Sequence, residues 1–266
     1  MDIFDILGYI GAVVIGLVLG LIGGGGSILT VPVLVYMLSI NPVTATAYSL
    51  FVVGTSSLVG AARNLQKKRV GFRTALAFAI PAVIAVFSTR KFVVPAIPDV
   101  ILHLDGFVLT KEVGIMIFFA FLMLVASFSM IMDREKLLED RKEESGPWYG
   151  LLMPLGFITG LITGLVGAGG GFIIIPILVL LAGLPMKKAV GTSLFIISIN
   201  SLIGFLGDLG HQKIDWAFLL IFTALSVCGI FVGVYLNRFV DGKKLKKGFG
   251  WFVLIMGVYI LWKEIF

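Results

Sequence analysis

One pattern of glycines set in apolar sequence occurs twice in this chain, and it limits the possible folds more than any other feature. Gly16-Leu17-Val18-Leu19-Gly20-Leu21-Ile22-Gly23-Gly24-Gly25-Gly26-Ser27 is followed by Pro32, and Gly160-Leu161-Ile162-Thr163-Gly164-Leu165-Val166-Gly167-Ala168-Gly169-Gly170-Gly171 by Pro176. The offset that carries Gly16 to Gly160 also carries Ala45, Ser49, Leu50 and Phe51 onto Ala189, Ser193, Leu194 and Phe195, and Ser57, Leu58 and Gly60 onto Ser201, Leu202 and Gly204, without a gap. Each glycine in a helix interior costs about 0.8–1.0 kcal/mol relative to alanine. Two matched clusters therefore predict two matched interruptions of helix.

The setting of the glycines is a bilayer. The chain is 59% hydrophobic and 14% charged, with mean hydropathy +1.08, and its apolar residues come in blocks such as Phe72 to Phe87 and Trp216 to Leu236. Blocks of about 20 apolar residues cross a membrane as helices; the short alternating segments of a β-barrel are missing. The lone Cys228 excludes an internal disulfide and reads as a small buried core residue. The net charge of +6 reads as membrane orientation rather than nucleic-acid binding. Asp2 and Asp5 precede the first apolar run, which does not fit a cleaved signal peptide.

Each half reads as one long glycine-broken stretch (about 6–38 and 148–183) and three ordinary spans (about 44–62, 72–93 and 112–132; 188–206, 215–237 and 248–264). If each broken stretch crosses once, the 21 basic residues divide almost evenly between the two sides. If each turns back at its glycines, Arg90, Lys91, Lys111, Lys213 and Lys263 fall on one side and all the others on the opposite side. The positive-inside rule selects the hairpin. Each half then crosses three times, so the second half is inverted relative to the first, with both termini outside. The predicted fold is an all-α membrane protein of two inverted-topology repeats, 1–132 and 148–266, each a glycine-broken helical hairpin plus three transmembrane helices. They are joined by a linker, 133–147, dense in both charges and expected as a solvated helical loop on the cytoplasmic side. Arms of about 15 residues reach roughly 22 Å, which permits a hairpin that stops at mid-membrane or one that nearly crosses.

Non-helical backbone is tolerated at membrane depth only inside protein or beside water, so Gly23 to Val31 and Gly167 to Ile175 are expected to line a cavity. The second arm of each hairpin begins either near the proline, which suits a first helical position, or near Ser27 and its counterpart Gly171, with the proline inside the helix. In both cases free N–H groups face the tip and favour an anion. A hydrogen bond to a charged group is worth about 1.5–3 kcal/mol, against about 0.3–1 kcal/mol for the helix dipole. Converging main-chain donors therefore dominate. The candidate site is Gly24, Gly25, Gly26 and Ser27 with Gly169, Gly170, Gly171 and Phe172. Gly16, Gly20, Gly160 and Gly164 are expected to serve close helix packing.

Ser49, Thr192, Ser193 and Asn200 on the following spans complete the candidate list, with helix–helix hydrogen bonding as the competing role. Asn64 and Asp208 fall at span ends and read as loop caps. No Asp or Glu falls in mid-span, against a carboxylate proton relay. Arg90 and Lys91 sit near the outer end of a span, where snorkelling to the interface competes with attraction of a departing anion. His103 and His211 lie in loops without a partner cluster, so no metal, cofactor or catalytic role is assigned.

Gly-Leu-x-x-Gly-Leu-x-Gly-x-Gly-Gly with a following proline, in two copies, together with Ala-Val-Gly-Thr-Ser-Leu at Ala189 to Leu194, resembles the TauE/SafE family of sulfite and sulfonate exporters. The first copy departs from the second: Tyr48 stands at the Thr192 position, and Gly24-Gly25-Gly26-Ser27 at the position of Ala168-Gly169-Gly170-Gly171. The resemblance implies a multi-pass transporter of a prokaryotic inner membrane, exporting small anions such as sulfite or organosulfonates by alternating access. Its partners would be the anionic substrate and the lipid bilayer, with a homodimer as an option. An anion channel using the same tips and an intramembrane enzyme are the alternative classes.

Overall fold

The computed structural model describes residues 3–104, 107–132, 149–236 and 242–265. The charged linker lies outside the described residues. Among the described residues, six helices are long and apolar enough to cross a membrane: α3 (Pro42–Gln66), α4 (Phe72–Ser88, continued to Ala96), α6 (Lys111–Ile131), α9 (Met186–Asp208), α10 (Trp216–Leu236) and α11 (Gly242–Ile265). Between them lie the shorter apolar helices α1 (Ile3–Ile22), α7 (Tyr149–Val166) and α8 (Gly171–Leu180) and the short pieces α2 (Thr30–Pro32) and α5 (Val94–Ala96).

Local chemistry fixes the ends of several helices. Asn41 caps α3, its side chain accepting from Val43 N–H at 2.9 Å, with Pro42 at the first helical position. Thr110 does the same for α6 through Val113 N–H. The polar outer loop read around residue 103 contains a two-stranded antiparallel hairpin, β1 (Val100–Leu104) and β2 (Phe107–Thr110). The sequence there is two apolar, β-branched-rich runs, Val100–Leu104 and Phe107–Thr110, on either side of Asp105-Gly106, a dipeptide typical of hairpins.

The first glycine-broken stretch turns back on itself. Gly8 lies against Leu38, Gly11 against Val33 and Gly26 against the backbone of Ile15, Val18 and Leu19, as two antiparallel arms require. The returning arm is irregular: a 3₁₀ turn over Gly25–Leu29, α2, and a π turn over Val33–Met37. Its counterpart α8 is a plain helix with Pro176 inside it. Both arms thus start at the glycines rather than at the proline.

α3 and α9 pack on each other at the centre and are the most buried of the six long helices. α10 packs on α3 and α4 on α9. α1 packs chiefly on α10, and α7 chiefly on α4. α6 and α11 pair with each other. Small residues permit the close crossings: a Cβ on Gly16 would fall on the Ser226 carbonyl, and one on Gly160 on the Ala82 carbonyl. Gly20 faces Ile230 and Val234 in the same way, and Gly164 faces Thr89. The outer faces are apolar and exposed at Ile80, Ile84, Phe121, Val125, Phe128 and Ile255, where lipid replaces water. Cys228 belongs to this exposed set, which corrects its reading as a core residue: an apolar helix in lipid need not bury a small thiol.

Candidate functional site

The two helix interruptions are built from left-handed backbone. Gly23 and Gly24 take φ of 79° and 152°, and Gly167, Gly169 and Gly170 take 72°, 64° and 73°. An L-residue pays about 1–2 kcal/mol in the left-handed region, so glycine is required for conformation as well as space. Gly24 and Gly170 precede the 3₁₀ turn and α8, and neither start receives a side-chain cap.

The interruptions touch. A Cβ on Gly171 would fall on the Gly24 carbonyl, and one on Gly24 would come within 3.1 Å of Gly171 Cα. Gly169 lies against Val53 and Ile197, which occupy equivalent positions in the sequence repeat and stand near the middle of α3 and α9. Gly23 lies against Val190 near the start of α9, and Gly167 against Thr46 near the start of α3. The tips therefore pass the middle of the central helix pair and overlap there. Gly23, Gly24, Gly26 and Gly167 through Gly171 are all buried. A Cβ on any of Gly23, Gly24, Gly26, Gly167, Gly169, Gly170 or Gly171 would meet protein atoms, so the described residues show close packing at the tips and not the cavity expected there.

The tips carry donors without acceptors. Gly23 N–H bonds to Leu19 and Gly167 N–H to Thr163, closing α1 and α7, and the first bonds of α8 run from Ile173 and Ile174 to the Gly170 carbonyl. Among the described residues, no backbone carbonyl takes the N–H of Gly24, Ala168, Gly169 or Gly170. Buried main-chain N–H groups are satisfied in the great majority of structures, which makes a concentration of them at one place informative.

The polar side chains named from sequence divide into two groups. Ser27 donates to the Gly24 carbonyl at 2.8 Å, and the Ser193 hydroxyl, with one proton to donate, lies 3.0 Å from the Gly23 carbonyl and 2.9 Å from the Val190 carbonyl of its own helix. These hydroxyls lie at the carbonyls of the first tip. Ser49 and Asn200 are buried, and the Ser49 hydroxyl and the Asn200 side-chain carbonyl have no partner among the described residues. Ser201 joins this group, its hydroxyl 3.2 Å from where a Gly169 Cβ would sit. Thr192 lies elsewhere, bonded to the loop before α4. Phe172 is half-buried and packs on the core formed with the first hairpin. Gly25 opens the 3₁₀ turn.

Arg90 departs from its expected position at the interface: it is 0% exposed. Its Nη1 donates to Thr46 Oγ1 at 3.0 Å and pairs with Asp208 Oδ2 at 3.4 Å. Asp208, read as a loop cap, is the buried counter-ion. Sequence pattern missed both because each falls at the end of an apolar block, where a charge ordinarily meets water. The available signal was their occurrence together, one basic and one acidic residue at the same predicted outer side. Lys91 does stay exposed, over the rings of Phe87 and Phe92.

The family model for the sulfite exporter TauE/SafE matches residues 9–260. The chain belongs to the TauE/SafE family. A "probable membrane transporter protein" of Xylella fastidiosa (strain 9a5c) is 28% identical over 256 residues, covering 94% of this chain and 92% of the relative. A similarly named protein of Bacillus subtilis, YunE, is 25% identical over 272 residues, covering 96% and 97%. Another from Methanocaldococcus jannaschii is 38% identical over 116 residues, covering 41% and 43%. No solved structure matches the chain.

The TauE/SafE-like run Ala189 to Leu194 has a physical reading here. Val190 packs on Gly23, Gly191 lets the backbone of Arg69 approach, Thr192 accepts the N–H of Gly71, and Ser193 reaches the Gly23 carbonyl. The departure at Tyr48 preserves one of these jobs. Tyr48 Oη accepts the N–H of Asp215 at 2.7 Å, while Thr192 Oγ1 accepts that of Gly71 at 3.0 Å. Gly71 and Asp215 occupy equivalent places in the sequence repeat, each just before a helix.

Proposed function

We propose that this chain is a secondary transporter of small anions, sulfite or organosulfonates, which it moves outward by alternating access around the two glycine tips. The single observation that carries the reading is the set of main-chain N–H groups at Gly24, Ala168, Gly169 and Gly170, buried at two touching helix breaks and without a backbone acceptor. Such donors match an oxyanion, whose lone pairs accept several charge-assisted hydrogen bonds at once. Ser49, Asn200 and Ser201, also buried with unpartnered polar atoms, would supply side-chain contacts on the way.

The halves 1–132 and 148–266, joined by 133–147, are read as inverted repeats. Exchanging the halves converts the pairing of α1 with α10 into that of α7 with α4, and the pairing of α3 with α10 into that of α9 with α4. α3 with α9, and α6 with α11, map onto themselves. This pattern supports the arrangement common in transporters, with a substrate site at the repeat interface. The dense packing of the tips favours an occluded carrier over an open pore, and the absence of mid-span carboxylates favours transport over intramembrane chemistry. Export needs no coupled ion: one negative charge leaving a cell negative inside gains about 2.3 kcal/mol per 100 mV. Both termini are placed outside by the positive-inside rule.

The test is thermal stabilisation of the purified chain by sulfite, sulfoacetate, methanesulfonate, sulfate and chloride. A ligand at 100 times its Kd stabilises by about 2.7 kcal/mol. Sulfite or a sulfonate should raise the melting temperature; no shift with any of the five would remove the reading.

A further inference from the structure

The π turn Thr89–Val93 that interrupts the end of α4 carries a group that the glycine tips do not use. π bulges concentrate at functional sites, and this one holds Arg90, with no exposure to solvent or lipid. Its guanidinium is fixed on one nitrogen only. Nη1 takes Thr46 Oγ1, whose own hydroxyl proton goes to the Val43 carbonyl, and the same Nη1 faces Asp208 Oδ2. Nε and Nη2 have no partner among the described residues. The hydroxyl of the preceding residue, Thr89, is also buried and unpartnered among the described residues.

A structural ion pair does not explain this geometry. An arginine held only to neutralise Asp208 would gain most by a two-nitrogen fork on that carboxylate. Here one nitrogen serves both Asp208 and Thr46, and the Nε/Nη2 edge stays vacant of protein acceptors. That edge presents two parallel N–H groups spaced for two oxygens of one carboxylate, sulfonate or sulfite. Leaving it bare at depth is costly, because buried charged donors need partners. The position is also adjacent to the second tip: Thr46, which grips Nη1, packs on Gly167, and Thr89 packs on Gly164. The equivalent position in the second half is Val234, so Arg90 has no counterpart in the sequence repeat.

We infer that the Nε/Nη2 edge of Arg90 is an oxyanion-binding station beside the second glycine tip, with Thr46 and Asp208 as positioning residues. It takes anions that offer two oxygens from one centre, and it does not favour a spherical halide. The inference rests on the anion-transport reading for its role on the substrate's route.

The test uses the full chain in lipid nanodiscs with sulfite, methanesulfonate, acetate and chloride as probes. Arg90→Lys keeps the charge and loses the fork; Arg90→Gln with Asp208→Asn removes both charges, so no lone buried ion remains. Both variants should weaken binding of the three oxyanions at least about tenfold, the equivalent of 1.4 kcal/mol, and leave chloride unchanged. A folded Arg90→Gln/Asp208→Asn protein that binds sulfite as tightly as the unaltered chain overturns the station while leaving anion transport standing. No binding of any probe by the unaltered chain overturns both. Should either variant fail to fold, crystals of the unaltered protein soaked in selenite decide: a selenium peak within hydrogen-bond reach of Nε and Nη2 supports the station, and selenium bound only elsewhere overturns it.

Discussion

Gly171, the first residue of α8, lies against the backbone of Gly24, the residue that breaks the first hairpin, with no room for a Cβ between them. The two interruptions are thereby one structural unit, although the residues are far apart in sequence. Gly171→Ala should push the tips apart and cost about 1–3 kcal/mol, the usual penalty for overpacking. Thermal unfolding in detergent would show it as a lower melting temperature, whereas Gly150→Ala, with open space around it, should leave the melting temperature unchanged.

Tyr48 and Thr192 are predicted to be structural in the same sense. Each accepts the N–H that precedes a helix, Asp215 for Tyr48 and Gly71 for Thr192. Tyr48→Phe or Thr192→Val leaves that N–H without its acceptor and should cost about 1–3 kcal/mol. Thr192→Ser keeps the oxygen and should restore most of the loss. Anion selectivity, read as the ratio of sulfite to methanesulfonate binding, should not change in any of the three.

Ser193 and Ser49 occupy equivalent places in the repeat and should behave differently. The Ser193 hydroxyl is shared between the Gly23 and Val190 carbonyls, so Ser193→Ala should cost about 1 kcal/mol. Ser49 is buried with an unpartnered hydroxyl, so Ser49→Ala should leave the melting temperature unchanged or raise it. If Ser49 touches the anion, the same variant lowers sulfite affinity; isothermal titration separates the two effects.

Much of this architecture was legible before any coordinates, for identifiable reasons. The spans followed from block length and apolarity, the helix breaks from Gly23 to Gly26 and Gly167 to Gly171, and the packing role of Gly16 and Gly160 from small residues spaced along one helix. Side-chain partnerships across helices were not legible. Nothing local to Thr192 says that its hydroxyl faces Gly71, and nothing local to Arg90 says that α4 ends in a π turn that buries it. The strand pair Val100–Leu104 and Phe107–Thr110 falls in a segment read as a polar loop, although its two apolar runs flank Asp105-Gly106, a hairpin signal. The start of the returning arm stayed open because Pro32 and Pro176 can open a helix or sit inside one; the structure starts the arms at Gly25 and Gly171.

The central claim is that the joined tips, rather than glycine conformation in general, carry the anion. Gly169 and Gly183 share left-handed backbone, with φ of 64° and 63°, but only Gly169 is enclosed, by Val53, Ile197 and Ser201, while Gly183 has open space. The decisive measurement is sulfite flux through proteoliposomes containing folded Gly169→Val or Gly183→Val protein. Flux lost in Gly169→Val and kept in Gly183→Val is the predicted result; folded Gly169→Val protein that moves sulfite at the rate of the unaltered chain would contradict it.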